Sequence, residues 1–375
     1  MPDSTSRRRF LGRGLQTLGG AVVASRILGG PTKAVAADAV NVSEMIDKAV
    51  AFLKQRQETN GGWSTVRKEP GITALALTSM LRTKRVTPNE PTVTKGLAYL
   101  EQFLTPKGGL SEVSHANYAT SITLLAFREA NVKGRYDRLI KEGQDFLKSM
   151  QWDESEGKKR EDDYYGGAGY GGGNSRPDLS NTSFFLESLR DTGLPADDPA
   201  LKKALVFVSR CQNLKSEFND QPWAGKINDG GFIYTAAKGG QSFVPGDGLR
   251  SYASMSYAGL KSMIYAGLTE DDPRVKAATK YISSHYSVDE NPGLGQQGLY
   301  YYYHTFAKAL SMLKQAEITD DKGVKHDWRT DLAKALSKRQ SPDGSWVNPA
   351  DRFMEGDANL VTAYALLALA HTSGK

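Results

Sequence analysis

Apolar positions recur along the chain with helical spacing, in a short signature that is repeated six times. Each copy places a small residue, an aromatic residue three positions later and an aliphatic neighbour on one helix face, often followed by Gln. The first copy is Ala49, Phe52, Leu53 and Gln57, and the last, degenerate copy is Ala335, Leu336 and Gln340. The intervening copies begin at Gly96, Gly143, Ala204 and Ala278. This pattern predicts six amphipathic helices, each with Lys, Arg and Glu on an outer face.

A second, more apolar helix is predicted after each signature, beyond a Gly-rich turn. Turns such as Gly61-Gly62-Trp63 and Gly344-Ser345-Trp346 let the chain reverse tightly at positive φ. The second segments are poor in charge and cover residues 72–77, 119–126, 182–189, 254–263, 304–312 and 361–370. Helices of this composition are buried on most faces. Six exposed and six buried helices predict an all-α fold, an (α/α)6 barrel or toroid over residues 37–375.

Two of the turns carry a family motif. Gln57-x-x-x-Gly61-x-Trp63 and Gln340-x-x-x-Gly344-x-Trp346 resemble the repeat of squalene and oxidosqualene cyclases, and residues 43–371 resemble the terpenoid cyclase and protein prenyltransferase superfamily. The resemblance implies a helical toroid in which Gln and Trp tie each outer helix to its turn. It also implies an isoprenoid ligand and, if the chain is an enzyme, terpenoid cyclase-like or prenyltransferase-like chemistry.

The proton donor of that superfamily is replaced in this chain. Squalene–hopene cyclases begin a reactive helix with Asp-x-Asp-Asp-Thr-Ala, and the similar stretch here runs from Asp178 to Ser183. Ser180 stands where the family has its proton-donating Asp, and a hydroxyl group is too weak an acid for that step. Asp178, which follows Pro177, is interpreted first as a helix N-cap and second as a catalytic group.

The zinc site of protein prenyltransferases is incomplete as well. Those enzymes use an Asp-x-Cys pair and a later Tyr-His-Thr, which Tyr303-His304-Thr305 resembles. Arg250 and Tyr252 stand near the positions of the missing Asp and Cys. Because zinc catalysis needs three protein ligands, we expect neither a metal nor a cofactor.

Polar residues nevertheless concentrate where the second helices begin, which is the mouth of a toroid with this connectivity. The candidate catalytic residues are Asp178, His304 and Asp357, and the candidate binding residues are His115, Asn117, Asn181, Arg250, Tyr252, Tyr302 and Asn359. Helix capping is an alternative role for Asn181, Asp357 and Asn359. At least one of the tyrosines at 300–303 is expected to face the cavity, because consecutive helical residues point in different directions. The long segments 153–177 and 213–250 are expected at the same mouth.

The N-terminal segment accounts for the basic balance of the chain. Residues 1–36 contribute five of the six net positive charges, and Ser6-Arg7-Arg8-Arg9-Phe10-Leu11 resembles a twin-arginine export signal. The following apolar stretch is too short to span a bilayer, and Ala34-Val35-Ala36 fits a cleavage site. We therefore expect a signal peptide over 1–36 and a periplasmic or cell-envelope protein without a membrane span in its mature chain. The nearly neutral remainder argues against a nucleic-acid partner.

Two functions stay open at this point. The first is an exported toroid that binds or transforms an isoprenoid lipid, with degenerate family motifs. The second is a non-catalytic interaction toroid with an envelope protein partner, or one that binds or processes carbohydrate. Glycosidase chemistry requires two carboxylates beside a cleft, for which Asp178 and Asp357 are the best pair.

Overall fold

The computed structural model describes residues 40–65, 70–110, 113–171, 175–246 and 248–372. The signal peptide predicted at 1–36 lies outside these ranges. The outer helices are α1 (Val42–Arg56), α3 (Pro91–Glu101), α5 (Asp137–Lys148), α7 (Pro199–Arg210), α9 (Pro273–Ser284) and α11 (Trp328–Arg339). The inner helices are α2 (Gly71–Arg82), α4 (Ala116–Glu129), α6 (Leu179–Asp191), α8 (Ala253–Tyr265), α10 (Leu299–Met312) and α12 (Ala358–Leu369).

The six inner helices form a closed ring. Each packs against the preceding and the following inner helix, and α12 packs against α2. The outer helix α1 packs against α12, so the first and last repeats meet. Because every repeat runs from an outer to an inner helix, all inner helices point the same way. Their N-terminal ends form the mouth of the toroid, and the predicted (α/α)6 architecture is confirmed.

The two kinds of helix differ in burial as their sequences predict. In α2, residues Gly71 to Leu81 are all buried, whereas α5 buries Ile140, Gly143, Gln144 and Leu147 and exposes charged residues between them. The long segments after α5 and α7 lead into the N-terminal ends of α6 and α8, and therefore lie at the mouth. The second of them carries an antiparallel hairpin of β1 (Phe243–Val244) and β2 (Gly248–Leu249). A second hairpin, β3 (Glu317–Thr319) with β4 (Lys325–Asp327), precedes α11.

The Gln and Trp of the repeat motif tie the toroid together. The Gln57 side-chain amide donates to the Gly61 carbonyl at 2.8 Å and to the Thr92 carbonyl at 2.9 Å, which links its turn to the start of α3. Gln340 donates in the same way to Gly344 and to Met45 of α1, which closes the ring. The same pair of bonds recurs at Gln151 and Gln212. The Trp63 and Trp346 indoles donate to Leu53 and Leu336 at 2.7 and 2.9 Å. The implied structural role of the motif, in which Gln and Trp tie an outer helix to its turn, is confirmed.

Glycine is required at the turn because the next outer helix lies against it. Gly61 and Gly344 have φ angles of +93° and +90°. A Cβ atom on Gly61 would lie 2.5 Å from the Lys95 carbonyl oxygen, and one on Gly344 would lie 2.4 Å from that of Lys48. No helix within the described ranges is both long and apolar enough to cross a bilayer.

Candidate functional site

Asp178 is the N-cap of α6 at the mouth of the toroid. Its carboxylate accepts from the Asn181 backbone N–H at 2.8 Å and from the Asn181 side-chain amide at 2.9 Å. Only 2% of the residue is exposed. This burial raises the pKa of Asp178 to about 6, although hydrogen bonds from Asn181 and from the Tyr234 hydroxyl oppose the shift. Asp178 can therefore exchange a proton near neutral pH.

Asp357 occupies the equivalent cap position on α12. It accepts from the backbone N–H groups of Asn359 and Leu360 at 2.8 and 3.2 Å, so its predicted capping role is confirmed. In a ring of six, α6 and α12 lie three positions apart, and Asp178 and Asp357 therefore lie on opposite sides of the mouth.

Asn181 and Asn359 are not helix caps, because both lie inside the first turn of their helices. The Asn359 side-chain amide instead donates to the Ser64 hydroxyl at 2.9 Å. The Asn117 side-chain amide lies 3.5 Å from the Asn181 carbonyl oxygen and connects α4 to α6. The capping alternative is correct for Asp357 and wrong for the two asparagines.

The remaining mouth candidates differ in exposure. His115 and Arg250 are exposed, and the His115 ring packs edge-on against Tyr170 with 4.9 Å between ring centroids. Tyr252 is partly buried at the N-cap of α8.

Among the four consecutive tyrosines, Tyr301 faces the toroid axis. Its hydroxyl lies 3.0 Å from the Ser180 hydroxyl across the ring. The predicted candidate Tyr302 instead donates to the Ser287 carbonyl at 2.6 Å and packs beside Tyr257, toward the outer helices. The difference follows from helical phase, since adjacent residues point about 100° apart around the axis.

Four aromatic side chains meet around the axis and are called here the aromatic layer. They are Tyr118 of α4, Phe184 of α6, Tyr301 of α10 and Tyr364 of α12. Neighbouring ring centroids lie 5.0 Å apart for Tyr118 and Phe184, 6.3 Å for Phe184 and Tyr301, and 5.9 Å for Tyr301 and Tyr364. The Tyr118 and Tyr364 hydroxyls complete the circuit with a hydrogen bond of 2.8 Å. The base of the mouth is therefore formed by four aromatic rings, three of which carry hydroxyl groups.

His304 lies next to the aromatic layer, one helical turn farther along α10 than Tyr301. Its ring is nearly parallel to Phe184 and Tyr364, at centroid distances of 6.1 and 5.8 Å, and the residue is 1% exposed. Neither ring nitrogen has a hydrogen-bond partner among the described residues. Burial, reinforced by the charges of Lys261 and Arg82, holds the pKa of His304 well below its ordinary value, so the imidazole is neutral.

A group of charged side chains closes the axis beyond His304 and is called here the charged floor. Its members are Arg82, Glu129, Glu187, Asp191, Lys261 and Lys308. Arg82 contacts Glu129, Glu187 and Asp191 at 3.0 to 3.3 Å. Lys261 contacts Glu187 at 2.7 Å, and Lys308 contacts Asp191 at 3.2 Å. Burial would raise the pKa of Glu187, but the surrounding cations hold it well below its ordinary value.

Sequence reasoning missed this floor, because the inner helices are apolar overall and their few charged residues did not stand out. The available signal was positional: five inner helices each carry a charged residue in their C-terminal half, at a phase that faces the axis. Sequence reasoning also missed Glu355, which is fully buried. Glu355 accepts from the Tyr300 and Tyr301 backbone N–H groups at 3.0 and 2.9 Å and so caps α10 from a distant loop.

Comparison with solved structures identifies the same architecture in proteins of different activity. Type II terpene cyclase MstE from Scytonema shares 14% identity at a TM-score of 0.52, over 88% of this chain and 97% of that chain. Candida albicans protein geranylgeranyltransferase-I complexed with GGPP shares 13% identity at a TM-score of 0.53, over 86% of this chain and 90% of that chain. D-mannose isomerase shares 10% identity at a TM-score of 0.57, over 88% of this chain and 96% of that chain.

These likenesses establish the fold. The resemblance to terpene cyclases and protein prenyltransferases, predicted from the Gln and Trp repeat, is confirmed at that level. No protein-family model and no curated protein sequence matches the chain.

Proposed function

We propose that the toroid binds an isoprenoid lipid at its mouth, with the ligand chain lying against the aromatic layer. The observation that carries this proposal is the circuit of four rings contributed by α4, α6, α10 and α12. Ring faces offer apolar contact to an isoprenoid chain, and the tyrosine hydroxyls orient polar groups beside it. A terpene cyclase and a geranylgeranyltransferase share the fold, which supports this ligand class.

Asp178 is the acid–base group of this proposed site. A carboxyl group with a pKa of about 6 is present in both protonation states near neutral pH, so it can give a proton to a bound ligand or take one from it. Ser180 hydrogen-bonds Tyr301 within the same mouth, so the proposed ligand would lie beside the segment that resembles the cyclase acid motif.

Binding is tested by extracting the purified protein with solvent and by titrating it with a polyisoprenoid. We expect mass spectrometry to find an isoprenoid in the extract. Tyr301→Ala should weaken binding about 10-fold or more, because burial of one aromatic face contributes about 1.5 to 3 kcal/mol. The control is Tyr302→Phe, which removes a hydroxyl directed away from the mouth and should leave the affinity unchanged. An empty extract together with no thermal shift on adding a polyisoprenoid would refute the proposal.

A carbohydrate ligand is the second candidate, and the polar groups of the same mouth favour it. The mouth contains the hydroxyl pairs Ser180–Tyr301 and Tyr118–Tyr364 together with the capping carboxyl groups of Asp178 and Asp357. D-mannose isomerase shares the toroid, so the architecture accommodates a sugar-processing protein. The double variant Asp178→Asn with Asp357→Asn should abolish turnover of a glycan substrate. Turnover that survives in this variant excludes the glycosidase form of the function.

Export through the twin-arginine pathway belongs to the proposal. Residues 1–36 fused to a reporter should deliver it beyond the cytoplasmic membrane, and replacement of Arg7 and Arg8 by Lys should retain it inside. Equal delivery by both fusions would contradict this route.

A further inference from the structure

We infer that His304 and Lys261 form a subsite inside the toroid for a neutral hydroxyl group. The inference rests on the proposed function and narrows its ligand class to an isoprenoid alcohol rather than the corresponding diphosphate. The position of the subsite, its missing hydrogen bonds and its charge balance each contribute to this assignment.

The two residues lie where the aromatic layer meets the charged floor, to which Lys261 itself belongs. The His304 ring is 6.1 Å from the Phe184 ring, and the Lys261 ammonium is 5.4 Å from the centre of that same ring. Both residues are 1% exposed. Phe184 therefore contacts the proposed ligand site on one side and the buried polar groups of His304 and Lys261 on the other.

The hydrogen-bonding capacity of His304 is unused within the described residues, although the side chain is almost fully buried. Buried polar atoms in proteins are nearly always hydrogen-bonded, so an atom without a protein partner indicates a position for another molecule. A neutral imidazole presents one donor and one acceptor. A hydroxyl group matches both, because it donates one hydrogen and accepts through its lone pairs.

The pairing of charges around Glu187 favours a neutral ligand group over an anionic one. Glu187 and Asp191 already contact the cations Arg82, Lys261 and Lys308, while Glu129 contacts Arg82 and the exposed Arg128. The two histidines add no charge, since burial lowers the pKa of His371 to about 3 and that of His304 well below its ordinary value. A diphosphate would place negative charge near Glu187, where the cations Arg82, Lys261 and Lys308 are already paired with carboxylates, whereas a hydroxyl group adds no charge.

Two side-chain hydrogen bonds cross the mouth above the subsite, Ser180–Tyr301 and Tyr118–Tyr364. The Tyr118 and Tyr364 hydroxyls are bonded to each other at 2.8 Å above His304. Tyr118 and Tyr301 are partly exposed at the mouth, so their rings are the ones a ligand meets first. A ligand that enters with its hydroxyl group leading would separate the Tyr118 and Tyr364 hydroxyls. Its own hydrogen bond to His304 would then compensate for the hydrogen bond that is broken.

The test compares three probes of equal chain length: geranylgeraniol, the hydrocarbon that lacks its hydroxyl group, and geranylgeranyl diphosphate. We expect the wild-type protein to bind the alcohol at least about 10-fold more tightly than either of the others, as one satisfied buried hydrogen bond produces. His304→Phe, which keeps a flat ring between Phe184 and Tyr364, should remove the preference for the alcohol and leave hydrocarbon binding unchanged. His304→Asn retains a donor and an acceptor and should restore part of the preference.

The matched control is His285→Phe, because His285 bonds the Tyr281 carbonyl on the outer helix α9 and should not affect the preference. Equal affinity of the wild-type protein for alcohol and hydrocarbon would overturn the subsite while leaving the proposed lipid function standing. Tightest binding of the diphosphate would overturn the subsite in the same way. Failure of all three probes to bind would remove the proposed function and the subsite together. The comparison of the three probes on the wild-type protein needs no variant. The inference can therefore be refuted even if His304→Phe folds poorly.

Discussion

At the scale of single residues, the buried carboxyl group of Asp178 makes stability depend on pH. Its pKa is about 6 in the folded chain against an ordinary value of 3.8. Between these values the unfolded chain has lost the proton that the folded chain still holds. Folding stability therefore falls as the pH rises through about 4 to 6 and stays low above it, by about 3 kcal/mol in total.

Asp178→Asn should remove this pH dependence without removing the helix cap, because Asn is an equally good N-cap residue. Unfolding by denaturant at pH 4 and pH 7 measures the effect. We expect the wild-type protein to lose about 2 kcal/mol more than the variant between the two pH values, because the unfolded carboxyl is already partly ionised at pH 4. Asp357→Asn is the control, because it also removes a capping carboxylate, but at a partly exposed site. It should leave the pH dependence of the wild-type protein in place. Parallel pH profiles for wild type and Asp178→Asn would contradict the argument.

At the scale of elements, the turn glycine sets how closely one repeat approaches the next. Gly344→Ala should be strongly destabilising, because its Cβ atom would lie 2.4 Å from the Lys48 carbonyl oxygen in α1. Gly193→Ala is the matched control, since Gly193 also has a positive φ, +105°, but nothing within 4 Å of the added carbon. Backbone strain alone costs about 1 to 2 kcal/mol, and the control should show that loss. Thermal unfolding should show a clearly larger loss for Gly344→Ala, and equal losses would disprove the steric reason.

The elements also show what local sequence could reveal. Helix pairs and turns were predictable because the spacing of Ala49, Phe52 and Leu53 and the glycine at 61 act within a few residues. A second tie, between the turn and the inner helix that follows it, was missed because its partners lie outside the Gln-x-x-x-Gly-x-Trp motif. The Thr73 hydroxyl accepts from the Trp63 N–H at 2.9 Å, and Thr182 accepts from the Ala168 N–H at 3.0 Å.

The candidate site was harder to predict than the helices that build it. Choosing Tyr301 over Tyr302 requires the helical phase to within one residue, and sequence patterns locate helix ends less accurately than that. Glu355 reaches α10 from the following repeat, so its partners at positions 300 and 301 are visible only once the ring is closed. Thr182, which matches the Thr of the cyclase acid motif, serves the turn rather than the chemistry.

At the scale of the whole molecule, the charged floor joins helices that are far apart in sequence. Arg82 of α2 contacts Glu187 and Asp191 of α6, on the other side of α4, and Lys261 and Lys308 bring in α8 and α10. Removing one member leaves buried charges without partners, which costs about 3 to 5 kcal/mol. The floor therefore makes the packing of α2, α4, α6, α8 and α10 cooperative, because no single pair of these helices supplies all of its charges.

Glu187→Leu should consequently lower the free energy of unfolding by about 3 to 5 kcal/mol, since Lys261 and Lys308 lose a buried carboxylate. Adding Lys261→Met should recover part of that loss, because the most deeply buried of the stranded charges is then gone. The exposed pair Lys141–Asp145 is the control, and Lys141→Ala should cost less than about 1 kcal/mol. Denaturant unfolding of the two single floor variants and of the double variant gives the coupling energy directly. Simple additivity of the two losses would mean that the buried charges do not depend on one another, and the cooperative account of the floor would have to be abandoned.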